Sequence, residues 1–328
     1  MSAAGFRHLY GPVPSRRLGR SLGVDLVPFK ICSYDCIYCQ LGRTTNKTVE
    51  RKEYVPIKDV LEEVERKLSE GDHPDYISLA GSGEPTLNSG IGDLIETIKH
   101  LTKIPVAVLT NGSLLWDSEV RDALMAADLV LPSLDAGDER LFRYVNRPHK
   151  EIAFEFMVAG IAAFARRFPG EVWLEVLLLG GVTEIPAEAE RIAAAVRRIR
   201  PARVQLSTAT RPPAENFAFP VSSDRMVALM DRFPAPVDII GREEREGAQS
   251  GVPIRIRDED IAALLARRPC TLTDVASGLG IHVQEAIKHL EALIAAGKVK
   301  TAVAGRRSFY MRKDLEEVSA TSKEDMKA

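Results

Sequence analysis

Three of the four cysteines lie within eight residues, as Cys32-Ser-Tyr-Asp-Cys36-Ile-Tyr-Cys39, and Cys270 stands far downstream. Thiolates are soft ligands that suit iron–sulfur clusters and zinc, so a tight triplet reads as a metal site. A disulfide framework would use dispersed, evenly paired cysteines in a secreted chain. A [4Fe–4S] cubane on three local thiolates keeps one iron without a protein ligand. An open metal position is what a catalytic centre needs, because a small molecule can occupy it. Two plainer readings stand beside this one: a structural zinc site completed by His73 or His149, and three unrelated core thiols. Zinc fingers usually pair two Cys-x2-Cys halves, and the sequence holds no second half.

Polar groups recur just after successive apolar runs. Gly81-Ser82-Gly83-Glu84-Pro85 follows the second run, Thr110-Asn111-Gly112 the third, and Pro132-Ser133-Leu134-Asp135 the fourth. Gly180-Gly181 and Ser207-Thr208-Ala209-Thr210-Arg211 follow the last two. Glycines let a backbone approach a ligand closely, and a carboxylate can take an ammonium group. Taken singly, these segments are also ordinary turns and a helix cap at Ser133. Upstream, Arg16, Arg17 and Arg20 crowd the entry to the first run. With Arg211 they are candidate contacts for a phosphate or carboxylate, or plain surface charge.

The Cys-x3-Cys-x2-Cys spacing, with the aromatic Tyr38 just before the last cysteine, resembles the radical S-adenosylmethionine (SAM) superfamily motif. The resemblance spans about residues 10–240. It implies a [4Fe–4S] cluster on Cys32, Cys36 and Cys39, with the SAM amino and carboxylate groups on the fourth iron. Reductive cleavage of SAM then yields a 5′-deoxyadenosyl radical that abstracts hydrogen from a substrate. Gly81-Ser82-Gly83-Glu84 is similar to the family's Gly-Gly-Glu motif, which binds the SAM amino group, with Ser82 where glycine is usual. Resemblance to the molybdopterin-precursor branch implies that Thr110 and Ser133 bond the SAM carboxylate or ribose, supported by Asn111 or Asp135. The opening GPVPSRRLGRSLGVDLVP resembles a little-characterised subgroup linked by similarity to wyosine-type tRNA synthesis. Wyosine-forming relatives carry extra N-terminal cysteines for a second cluster, and this chain has none. The implied partner is a small electron donor such as flavodoxin or ferredoxin. The substrate stays open between RNA (including tRNA) and a phosphorylated metabolite. A cluster-based redox-sensing DNA-binding regulator is the competing reading; it leaves Gly83-Glu84, Thr110 and Ser133 unexplained.

The elements that must position these groups are visible as periodicity. Strand candidates are 21–27, 75–80, 105–110, 128–134, 172–179 and 203–208, most followed by a helical period. Leu94, Ile95, Ile98 and Leu101 mark one helix face; Ala189, Ile192, Ala193, Val196 and Ile199 mark another, opened by Pro186. Alternating β and α predicts a parallel sheet with right-handed crossovers. Six such units fit an open doubly wound sheet or a partial barrel, and the resemblance implies a partial (β/α)6 barrel. In either case the polar groups fall at the carboxyl ends of strands, where such folds place their sites.

The 328 residues, 45% hydrophobic, suffice for one large domain, 1–245, and a small one. Residues 246–254 read as a linker. The order helix, helix, helix, hairpin over 255–315 predicts a winged helix-turn-helix-like domain. Its second helix runs from Thr271 to a Gly280 stop, and Gly297 ends the third. The third helix exposes Gln284, Lys288 and His289, and the wing carries Arg306, Arg307, Arg312 and Lys313 as a possible phosphate clamp. Nucleic acid, protein or the mouth of the barrel itself are the partners this predicts. The polar tail, 316–328, reads as disordered. Cys270, Trp116 and Trp173 read as packing residues. A net charge of -2 gives no global basic field. Without a signal-peptide core or an apolar run of about 18 residues, the expectation is a cytoplasmic protein with no membrane partner.

Overall fold

The computed structural model describes residues 6–240 and 258–313, apart from 16, 72, 235, 280 and 306. The expected linker, the tail, Arg16, Gly280 and Arg306 lie outside the described residues. β1 (Leu9–Ser15) turns back antiparallel into β2 (Gly19–Val24). In the next loop β3 (Ile31–Cys32) and β4 (Asn46–Lys47) pair in parallel. There follow α1 (Ile57–Ser69), β5 (Tyr76–Leu79), α2 (Ile91–Leu101), β6 (Val106–Thr110), α3 (Ser118–Ala123) and β7 (Leu129–Pro132). Next come α4 (Glu139–Val145), α5 (Phe154–Arg167), β8 (Glu171–Leu178), α6 (Pro186–Ile199), β9 (Arg203–Thr208), α7 (Ser223–Met230) and β10 (Val237–Ile239).

Eight strands form one sheet in the order β1-β2-β5-β6-β7-β8-β9-β10. Every pair from β2 to β10 is parallel. The spatial order follows the chain order without the reversal of a doubly wound sheet, and β1 and β10 are its edges. Alternate side chains divide between two faces. Val108, Val130, Leu174, Val176 and Leu206 join the main core. The helices meet them there: Ile91, Leu94, Ile95 and Ile98 of α2 are each 0% exposed, roughly 1.5–3 kcal/mol of burial apiece. The opposite face is mixed, with Leu18, Ala107, Leu129 and Leu131 in one small apolar cluster and Glu175, Gln205 and Ser207 beyond it.

All six expected strands form, within three residues of their expected limits. The sheet is wider than expected by β1 and β10. Pro12 and Pro14 argue against an interior strand, and proline is tolerated on an edge strand, which is where β1 lies. Trp116 departs from the packing expectation: it is 50% exposed. Trp173 is half-buried, with the Arg203 guanidinium 5.4 Å from its ring.

The C-terminal segment folds as α8 (Asp258–Arg267), α9 (Leu272–Leu279), α10 (Val283–Ala295) and an antiparallel hairpin of β11 (Val299–Ala304) and β12 (Arg307–Arg312). Thr271 and Asp274 cap α9 reciprocally: the Asp274 amide donates to Thr271 Oγ1 at 3.1 Å, and the Thr271 amide to the Asp274 carboxylate at 2.9 Å. Cys270 is fully buried, as expected. It shares its apolar cluster with Ile261, Leu264, Leu265 and Val275, and with Val13 of β1. The C-terminal helices therefore pack on the sheet's edge strand. No helix among the described residues is long and apolar enough to cross a membrane.

Candidate metal centre

The cysteine loop leaves the carboxyl end of β2. Cys32 closes β3, and the Cys39 amide donates to the Cys36 carbonyl at 3.2 Å, so Cys36 and Cys39 flank one turn. The end of α4 and the residues after it splint this loop. Asp35 N donates to Asn146 O (3.0 Å), Ile37 N to Val145 O (2.9 Å) and His149 N to Ser33 O (2.8 Å). Tyr34 and Ile37, 2% and 0% exposed, anchor it in apolar surroundings. All three thiols are half-buried.

Each sulfur has one side-chain N–H donor. Lys30 Nζ donates to Cys39 Sγ at 3.2 Å, Asn111 Nδ2 to Cys32 Sγ at 3.6 Å, and Asn146 Nδ2 to Cys36 Sγ at 3.6 Å. Burial pushes the Cys32 thiol up to about 12, with Glu84 adding to it. Burial also holds the Cys36 thiol well above its usual value, with Cys39 and Asp135 contributing. Thiolates form here against the electrostatics unless a cation compensates, and metal binding displaces such protons. Two buried polar atoms, Tyr34 Oη and Asn146 Oδ1, have no hydrogen-bond partner among the described residues, and both residues lie beside Cys36. Three soft donors with N–H groups turned to them fit an iron–sulfur cluster.

Among the described residues, no three His, Cys, Asp or Glu side chains gather closely enough to hold one metal ion. A single zinc needs such a group; a cubane does not, because each thiolate takes a different iron. His73 precedes β5, at the opposite end of the sheet from the cysteines. His149 lies against the loop through its backbone amide.

The Gly81–Glu84 segment clamps onto the cysteine loop. Lys30 N donates to Ser82 O (2.7 Å) and Glu84 N to Ile31 O (3.1 Å). Its glycines make room for the chain itself: a Cβ on Gly83 would lie 1.8 Å from Ile31 O, and one on Gly81, at φ +122°, 1.6 Å from Asp25 Oδ1. Ser82 is no passive substitute for glycine. Its amide donates to Asp25 Oδ1 at 2.7 Å, and its hydroxyl to Asp25 Oδ2 at 3.3 Å.

Glu84 is 1% exposed. Its Oε1 accepts from Thr86 N (3.1 Å), Thr86 Oγ1 (2.6 Å) and Thr110 Oγ1 (2.6 Å); its Oε2 accepts from Asn111 N (2.7 Å). Burial raises its pKa, and these hydrogen bonds oppose the rise. Asn111 also reaches Ser33 Oγ at 2.8 Å, so Glu84, Thr110, Asn111 and the cysteine loop form one network. On the far side, Tyr38 Oη donates to Asp135, which also accepts from Asn146 Nδ2 (2.8 Å) and Leu177 N (3.0 Å). Burial raises Asp135 to about 6. Ser133 is half-buried, and its amide donates to Thr110 O at 3.1 Å.

The arginines divide. Arg17 sits in the turn before β2, and its guanidinium pairs with Glu175 of β8, which stands in register with Ser133. Arg20 is the second residue of β2, and its amide donates to Asp75 at 2.7 Å. Neither is brought to the thiols. Arg211, beyond β9, bridges two regions: it donates to Pro269 O (3.0 Å) and to Gln40 Oε1 (3.3 Å), next to Cys39, and lies 3.8 Å from Asp274 of α9. Lys30, Asp25, Tyr34 and Asn146 are site residues that sequence reasoning missed. Only Lys30 and Tyr34, beside the cysteines in the chain, carried a signal that could have found them.

The radical SAM superfamily model matches residues 26–195, just over half of the 328 residues. The chain is 40% identical over 298 residues to a Brachyspira hyodysenteriae protein named GTPase Obg, covering 90% of this chain and 44% of that one. It thus spans less than half the length of that relative, and it contains no Gly-x4-Gly-Lys-Ser/Thr segment. It is 34% identical over 307 residues to a UPF0026 protein of Helicobacter pylori, covering 92% and 96% of the two chains. Among solved structures, Streptococcus suis SuiB bound to its precursor peptide SuiA is similar in fold, with TM-score 0.51 and 14% identity over 67% of this chain and 48% of that one. The chain belongs to the radical SAM superfamily, among the UPF0026 proteins. Membership makes it an enzyme whose cofactors are a [4Fe–4S] cluster and SAM.

Proposed function

We propose that this chain is a single-cluster radical SAM enzyme in which Cys32, Cys36 and Cys39 are the cluster ligands. The observation that carries the reading is the convergence of three half-buried thiols, each with its own N–H donor, on the strand ends that present Glu84 and Asp135. Bound there, the cluster supplies the electron that cleaves the sulfonium C–S bond of SAM. The chain's own residues position and shield. Glu84 Oε2 accepts one hydrogen bond and keeps a lone pair for the SAM ammonium. Thr110 acts through Glu84, to which its hydroxyl donates. The Ser133 hydroxyl has no partner among the described residues and is the donor available to the SAM carboxylate or ribose. Asp135 orients Tyr38 and Asn146 rather than SAM.

We read residues 1–245 as a partial (β/α)6 barrel whose sheet is extended by β1 and β10, and 255–315 as a winged-helix-like module. A small cytoplasmic electron donor, flavodoxin or ferredoxin, completes the reaction. The test is anaerobic. The protein is loaded with iron and sulfide, then given SAM and dithionite, and 5′-deoxyadenosine is measured. Nucleoside formed by the wild type and absent from Cys36→Ala is the expected result. A loaded cluster that never cleaves SAM would rule the proposal out.

A further inference from the structure

Lys30 breaks two ordinary rules at once. A lysine is seldom fully buried unless paired, yet Lys30 is 3% exposed, with no carboxylate partner among the described residues. It also stands at φ +63°, a left-handed conformation that residues with a Cβ seldom adopt. Its neighbours impose that backbone. Lys30 N donates to Ser82 O at 2.7 Å, while Lys30 O accepts from Asn46 N and Thr45 Oγ1, both at 3.3 Å. What the arrangement achieves is the placement of the ammonium, whose hydrogen bond goes to Cys39 Sγ at 3.2 Å. The donors on the other two sulfurs, Asn111 and Asn146, are neutral amides at 3.6 Å. One thiol of the three thus carries a buried cation.

We propose that Lys30 is a positioning residue that sets the reduction potential of the cluster, by holding its ammonium on the Cys39 sulfur. The proposal rests on the reading of Cys32, Cys36 and Cys39 as the cluster ligands. Taking up one electron from an external reductant makes the cluster and its thiolates more negative by one charge. A fixed cation in a poorly solvated site favours that reduced state, and charge and hydrogen bonds at the sulfurs are established determinants of cluster potential. Lys30 therefore makes the cluster easier to reduce.

The test compares wild type, Lys30→Met, Lys30→Gly and Lys30→Arg, loaded anaerobically and titrated potentiometrically with the EPR signal of the reduced cluster as readout. Lys30→Met removes the charge at similar volume. Lys30→Gly removes it while suiting the left-handed backbone, and carries the comparison if Lys30→Met fails to load. The midpoint is expected to move to more negative potential in both and to stay near the wild-type value in Lys30→Arg. A wild-type midpoint in a loaded Lys30→Met or Lys30→Gly protein would overturn the proposal. So would a shift of equal size in Lys30→Arg, or weakened SAM binding with an unmoved midpoint, which would make Lys30 a SAM ligand. A wild type that takes up no cluster defeats the reading of the site, and this proposal with it; a loaded wild type with unmoved variants defeats this proposal alone.

Discussion

The two oxygens of Glu84 have different work. Oε1 is saturated by three donors, while Oε2 has one, from Asn111 N. Thr110→Val removes a donor to Oε1 without altering side-chain shape, leaving a buried carboxylate short of a partner. A loss of about 1–3 kcal/mol in folding stability is expected by chemical denaturation, because the desolvation of the group is no longer compensated. SAM affinity should fall less than in Glu84→Gln, which alters the acceptor itself; equal losses would place Thr110 on SAM directly. The importance of Glu84 was legible in the sequence as a carboxylate after a glycine-rich turn. Its burial under Thr86 and Thr110 was not, because a residue's partners across neighbouring strand ends depend on register.

Among the elements, the loop–loop clamp is the least tolerant. Gly83 faces the Ile31 carbonyl, which is backbone and cannot swing aside as a flexible side chain would. Gly83→Ala is expected to part Glu84 N from Ile31 O and to lower iron content after reconstitution, with far-ultraviolet circular dichroism almost unchanged. Wild-type iron loading in that variant would show that the clamp does not hold the cysteine loop. The sequence presented these glycines as room for a ligand; the contacts show room for Asp25 and Ile31. The six strands were readable because each is an apolar run bounded by turn residues. β1 was hidden by Pro12 and Pro14, and the splint from Val145, Asn146 and His149 by its sequence distance from the cysteines. No local pattern encodes such a contact.

At the scale of the whole molecule, Arg211 joins β9, the cysteine loop and the C-terminal helices. Burial alone would raise the Asp274 carboxyl, but Arg211 and its bonds with Thr271 bring it below its usual value. A carboxylate depressed in the folded state contributes stability above its unfolded pKa, and loses it as pH falls through the folded value. The packing of α9 on β1 should therefore loosen below about pH 4, near the ordinary aspartate range. Hydrogen exchange over 272–279 should rise there in the wild type, and already at neutral pH in Arg211→Ala. Unchanged protection in that variant would mean that the apolar contacts of Val13 and Tyr10 of β1 hold the module without Arg211. The superfamily was legible from one eight-residue motif, whereas this seam was not, since nothing in the composition of α9 shows that β1 is its neighbour. The whole account needs a cubane with one iron open to SAM. EPR of the reduced, reconstituted protein, recorded with and without SAM, tests that most directly. A [4Fe–4S] signal that changes when SAM is added is the expected result. A signal indifferent to SAM, or a protein that holds one zinc and no cluster, would contradict it.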